Sequence, residues 1–181
     1  DINIILEAGQ EQSIAQTRAF TVLYLATVYL VMSWSKRQAE LNELSNLPAV
    51  CKRLLNNYRT LAERYGRNPN LERFYFLGSG ARYGLVSELS LKMKEMTLSH
   101  SEPFHFMEFR HGPKSMANEE TLMIGLVSEA NRSHEQAVLN DMKKQGAHIL
   151  SLGENKADLS LESNLSEIIR NVLYLPVIQL L

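Results

Sequence analysis

Arg73-Phe74-Tyr75-Phe76-Leu77-Gly78-Ser79-Gly80 runs directly into Ala81-Arg82-Tyr83-Gly84-Leu85-Val86-Ser87-Glu88-Leu89. A compact apolar run closed by small residues, then a helical pattern, reads as strand, tight turn and helix. The helix is expected over 81–98. The same alternation recurs downstream: a strand over 121–128, a helix over 133–145 ending at Gly146, and a strand over 148–152 ending at Gly153. A short last strand at 159–161 and a helix over 165–181, kinked at Pro176, complete it. Strands separated by helices of this length imply right-handed crossovers and a mostly parallel sheet with helices on both faces. The fold class is therefore α/β, a three-layer sandwich.

Upstream the pattern is different. Ile2 to Leu6 reads as a short strand, and a long helix is expected from Gln12 or Ser13, with Ser13 as N-cap, to about Leu44. Within it Ala19 to Ser35 carries no charge over 17 residues. That is short for a membrane span of about 20 residues, and Thr, Tyr and Ser interrupt it, so a helix buried against protein is the better reading. Asn46-Leu47-Pro48 marks a break. A second, amphipathic helix then places Leu54, Tyr58, Leu61 and Tyr65 on one face and reads as a spacer between domains.

Composition narrows the function. The chain has 181 residues, 19 Lys+Arg against 20 Asp+Glu, and a net charge of −1. This is an ordinary globular composition, and the near-neutral charge argues against nucleic acid as the main partner, since that role usually needs a basic face. One cysteine, Cys51, excludes an internal disulfide and points mildly to a reducing, cytoplasmic setting. The first and last residues lie in apolar runs, as expected for edges of a larger polypeptide.

Three places can carry chemistry. Gly78-Ser79-Gly80 lies where a strand's carboxyl end meets a helix N-terminus, a place suited to anions. It lacks a third Gly at the Tyr83 position, so it reads equally as a structural turn. Glu88, Lys92 and Glu95 share one helix face. Such pairs usually sit on solvated surfaces, but the apolar residues around them, Leu85 through Leu98, argue for a cleft in which burial can raise the pKa of Glu95. The dense polar stretch 101–115 holds Glu102, His105, Glu108, Arg110 and His111, followed by the turn Gly112-Pro113. A histidine is the side chain best suited to proton transfer near neutral pH, so His111 suits general acid/base work. No metal-site spacing and no nucleophilic-serine motif is present.

The blocks L-G-S-G (77–80), Y-G-L-V-S-E-L-S-L-K-M-K-E (83–95), S-E-P-F (101–104) and M-E-F-R-H-G-P-K-S (107–115) resemble the second sugar-isomerase (SIS) domain of double-SIS phosphosugar enzymes. The segment 7–21 resembles the stretch after that family's first-domain phosphate loop. The resemblance implies a flavodoxin-like or Rossmann-like sandwich. Its divisions would be the end of a first SIS domain (1–45), a helical spacer (46–71) and a second SIS domain (72–181). It implies aldose/ketose isomerisation of a hexose or amino-sugar 6-phosphate, coupled to amination or deamination. Glu95 matches the carboxylate that moves a proton between C1 and C2, and His111 the histidine that assists ring opening from the neighbouring subunit of a dimer. Glu88 matches a carboxylate that orients that histidine, Lys92 a lysine at the open-chain sugar, and Ile14 a backbone contact to the sugar. No metal or organic cofactor is implied, nor a nucleic-acid or membrane partner. The phosphate loop would precede Asp1 and a C-terminal tail would follow Leu181. The segment 107–115 departs from the aminotransferase pattern G-E-L-K-H-G-P toward the deaminase and isomerase relatives. Tagatose-6-phosphate-type isomerases, fructosamine-phosphate deglycases and non-catalytic phosphosugar sensors are the alternatives within the same resemblance.

Overall fold

Apolar runs that must lose water on both faces dictate the centre of the molecule. A computed structural model describes residues 3–181. Its sheet has five parallel strands: β1 (Arg73–Gly78), β2 (His100–Phe104), β3 (Thr121–Leu126), β4 (His148–Gly153) and β5 (Leu159–Ser160). The spatial order is β2-β1-β3-β4-β5. In β1, Phe74 and Phe76 face one layer while Tyr75 and Leu77 face the other. Both sets are buried, as in a parallel sheet covered on both sides.

The first layer contains α4 (Ala81–Thr97), which crosses from β1 to β2, with α3 (Leu47–Gly66) and α8 (Tyr174–Ile178) beside it. The second contains α5 (Phe106–Phe109) and α6 (Arg132–Lys144). The amphipathic helix expected as a spacer is α3, and it packs on the sheet layer. Leu54 is fully buried, and the Tyr58 hydroxyl donates to Ser160 O at 2.9 Å and accepts from Ser160 N–H at 3.0 Å.

Several expectations change. Residues 3–6 form no strand, Ile4 and Ile5 are exposed, and Ile2 lies outside the described residues. The first helix begins at Arg18, not near Ser13, and α1 spans Arg18–Trp34. Glu11, seven residues upstream, accepts the Ala19 N–H at 2.8 Å, while the Ser13 hydroxyl donates to Ala15 O. The helix also does not run through to Leu44. Lys36 adopts φ +55° and Arg37 N–H closes back on Met32 O at 2.9 Å, a Schellman-type stop. α2 (Gln38–Glu43) and a 3-10 turn then lead into α3, with Pro48 in its first turn. Of α1, Val28 and Met32 are buried, whereas Leu23, Tyr29, Leu30 and Trp34 are exposed. Among the described residues no helix is long and apolar enough to cross a membrane.

β2 was not expected. Its sequence His-Ser-Glu-Pro-Phe has no apolar run, yet it forms the sheet edge, where Pro103 is tolerated. Ser101 is fully buried there, 2.9 Å from the Ser90 hydroxyl. The final helix is divided into α7 (Glu167–Arg170), a 3-10 turn (Asn171–Leu173) and α8. Pro176 explains the division, because its ring conflicts with the carbonyl four residues earlier, on Val172, inside that turn.

Candidate functional site

The turn after β1 sets the position of everything on α4. Gly78 packs so closely that a Cβ would lie 2.7 Å from Arg82 O and 3.1 Å from Val86 Cγ1. Gly80 takes φ +59° and ψ −131°, a region that favours glycine. Strand and helix are thereby locked in register. Leu85, Val86, Leu89 and Met93 then bury one side of α4 against the sheet. The apolar surround expected for the charged stripe is incomplete, since Leu91, Met96 and Leu98 are exposed.

Glu88, Lys92 and Glu95 come together on that helix. Lys92 Nζ lies 2.6 Å from Glu95 Oε2 and 3.7 Å from Glu88 Oε1. The environments differ: the Glu88 side chain is 10 % exposed and that of Glu95 37 %. The burial expected at Glu95 falls instead on Glu88. Desolvation raises the Glu88 pKa, opposed by the Lys92 charge and reinforced by Glu95. For Lys92, desolvation acts to lower the pKa, but the hydrogen bond to Glu95 and the two carboxylate charges outweigh it, so the ammonium is favoured. The arrangement is an exposed carboxylate backed by a buried cation and a second, less ionisable carboxyl. Such a group can exchange a proton with carbon-bound hydrogen beside a carbonyl, and the ammonium can steady the oxyanion that develops.

Lys92 also lines a notch of about 140 Å³ closed by Ile178, Gln179 and Leu181. Gln179 Nε2 is buried with no hydrogen-bond partner among the described residues. The sequence carried one sign of this residue, a single amide in the apolar run 175–181.

His111 and Ile14 are not brought to this cluster. His111 is exposed in the turn after α5, its backbone N–H donating to Glu108 O at 3.0 Å. Among the described residues, no hydrogen bond or ion pair links its side chain to the α4 stripe. Ile14 is fully exposed in the irregular segment before α1. Glu102 lies on β2 beside His100, and the His105 ring stacks on Tyr83 at 4.0 Å between centroids.

A family profile for the SIS domain matches residues 70–171, which include β1 through β5 and all of α4. The glutamine–fructose-6-phosphate aminotransferase (isomerizing) of Caldanaerobacter subterraneus subsp. tengcongensis is 27% identical over 180 residues, covering 93% of this chain and 29% of that protein. The chain thus spans less than a third of the length of that relative. A C-terminal domain of glucosamine-fructose-6-phosphate aminotransferase from Francisella tularensis superimposes with a TM-score of 0.76 at 20% identity, covering 96% of this chain and 55% of that one. A structure described as a tagatose-6-phosphate ketose/aldose isomerase from Clostridium novyi NT gives 0.78 at 23% identity, with 91% and 46% coverage. At these identities the two structures establish the shared α/β fold.

Proposed function

Because the chain belongs to the SIS domain family, we propose that it carries the acid/base part of a phosphosugar aldose/ketose isomerase. Its substrate is a hexose 6-phosphate or amino-sugar 6-phosphate, and isomerisation is coupled to amination or deamination. The observation that carries this reading is the Glu88–Lys92–Glu95 cluster, with Lys92 Nζ at 2.6 Å from the more exposed carboxylate.

In this reading Glu95 takes the proton from one of the sugar carbons C1 and C2 and returns it to the other through an enediol. Lys92 holds Glu95 in place and meets the oxygen at the reacting carbons. Glu88, buried behind Lys92, fixes the cation and orients the ring-opening histidine. That histidine is His111, supplied across a homodimer interface, which is consistent with its exposure and its separation from the α4 stripe in one chain. The backbone at Ile14 contacts the sugar. The exposed apolar side of α1 suits an interface with a neighbouring domain or subunit. The chemistry needs no metal or organic cofactor, and a cytoplasmic setting goes with the same reading.

The test uses the intact polypeptide with fructose 6-phosphate, glucose 6-phosphate and glucosamine 6-phosphate as substrates. Wild type should interconvert at least one aldose/ketose pair, and Glu95→Gln should lose about 10²–10⁴-fold in turnover. Binding without turnover of any of the three would instead indicate a phosphosugar sensor.

A further inference from the structure

The sheet order puts β1 and β3 side by side at the point where chain connections depart in opposite directions. Ligands of open α/β sheets bind in the crevice outside the carboxyl ends of such strands. Here that crevice has a volume of about 510 Å³ and is lined by Ser79, His105, Glu108, Asn131, His134 and Glu135, among others. It shares no residue with the α4 stripe or its notch.

Anions commonly fill this position, drawn by free N–H groups at a helix N-terminus. In this chain a carboxylate already ties up the loop before that helix. Glu135, 1 % exposed, turns back so that Oε2 accepts the Ser128 N–H at 2.6 Å. The Ser128 hydroxyl in turn accepts the Asn131 N–H at 2.9 Å. Among the described residues, no Lys or Arg lines the crevice. Arg132, at the start of α6, donates away from it to Asn155 O at 2.6 Å. A phosphate entering here would meet the carboxylates of Glu108 and Glu135 and no Lys or Arg.

The crevice is instead rich in acceptors. Glu135 Oε1 is buried with no hydrogen-bond partner among the described residues, a costly condition for a carboxylate. Glu108 brings a second carboxylate to the crevice. The His105 ring is held by its stack on Tyr83, at 4.0 Å and 12°. A group with O–H or N–H donors and no negative charge satisfies this set. We propose that the crevice is a second ligand site, for a non-anionic polyol or amino-polyol whose hydroxyl or ammonium groups donate to Glu135.

Glucosamine is the probe, titrated into the intact polypeptide by amide NMR and calorimetry, with inorganic phosphate as a parallel probe. Saturable shifts are expected at Ser79, Asn131 and His134, with none from phosphate at those amides. Glu135→Gln should weaken binding about tenfold, the worth of a hydrogen bond to a charged group. Its amide oxygen can still accept the Ser128 N–H. Glu108→Gln and His134→Ala, outside the fold's core, should each weaken binding about fivefold with an unchanged circular dichroism spectrum. They decide the matter if the Glu135 variant does not fold. Glu95→Gln should leave binding intact, so that failure of the isomerase reading leaves this one standing. The proposal is overturned if glucosamine gives no saturable shifts at these amides, if phosphate binds there more tightly, or if the folded variants bind as wild type does.

Discussion

Replacing Lys92 by Met removes a charge while keeping most of the volume, and the geometry sets the size of the effect. Nζ lies 2.6 Å from Glu95 and 3.7 Å from Glu88. At an effective dielectric near 20, a unit pair at such a distance is worth about 4 kcal/mol before desolvation. Losing one partner of a buried pair costs about 3–5 kcal/mol. The exposure of Glu95 and the ability of Glu88 to take up a proton reduce this to about 2–3 kcal/mol near neutral pH. For a chain of this size the melting temperature should fall by about 4–10 °C. The pH dependence is the sharper test. The Glu88 pKa is already raised by burial, and Lys92 is what pulls it down. A carboxyl with a raised folded pKa holds an extra proton in the native state, so stability falls as pH rises from its unfolded value of 4.5 through the folded one. Without Lys92 that window extends upward and the fall is larger. The raised Lys92 pKa contributes stability that is fully present below its unfolded value of 10.5 and lost only as pH rises through the folded value. It is therefore constant across this range. Urea denaturation should show a small difference between Lys92→Met and wild type at about pH 4 and the full loss at about pH 8. A loss below about 0.5 kcal/mol at neutral pH, or an equal loss at both ends, would refute the reasoning.

Tyr58→Phe, which deletes both hydrogen bonds between α3 and Ser160, should cost about 1–2 kcal/mol in urea denaturation. Glu154→Ala should cost about 3 kcal/mol by the same assay, because it strips the acceptor from the Ser163 and Asn164 N–H groups and the Ser163 hydroxyl, and Glu154→Gln should cost less. Gly125→Ala should lose about 1–3 kcal/mol by overpacking, since its Cβ would lie 3.0 Å from both Leu139 Cδ1 and Phe106 Cζ; a neutral result would show that these side chains can yield.

Strands buried on both faces announce themselves as apolar runs, which is why β1, β3 and β4 were legible to within two residues at their ends. β2 was not, because an edge strand needs no such run: its one fully buried residue, Ser101, is held by a hydrogen bond to Ser90. The start of α1 was misread for a related reason. Ser13 has the right chemistry for a cap, but the free Ala19 N–H is taken by Glu11, a choice set by how the chain folds back before the helix. At the candidate site, spacing alone placed Glu88, Lys92 and Glu95 on one face. It could not show that Glu88 would be the buried carboxylate, since that depends on how α4 lies on the sheet. Nor could it show Gln179 lining the same notch as Lys92, from a position 87 residues further along the chain. The bond from the Ser128 N–H to Glu135 was equally hidden, because a Glu in the first turn of a helix is an ordinary surface residue until the loop before it curls under.

The central claim is that a carboxylate of α4 moves a proton between two carbons of a phosphosugar. The direct measurement is solvent deuterium incorporation at C1 and C2 of fructose 6-phosphate and glucosamine 6-phosphate in D₂O, by the intact polypeptide and its Glu95→Gln variant. Wild type should wash deuterium into one of these positions, and the variant should do so about 10²–10⁴-fold more slowly while remaining folded. Exchange by Glu95→Gln within about threefold of wild type, well short of the loss expected for a general base, would contradict the account.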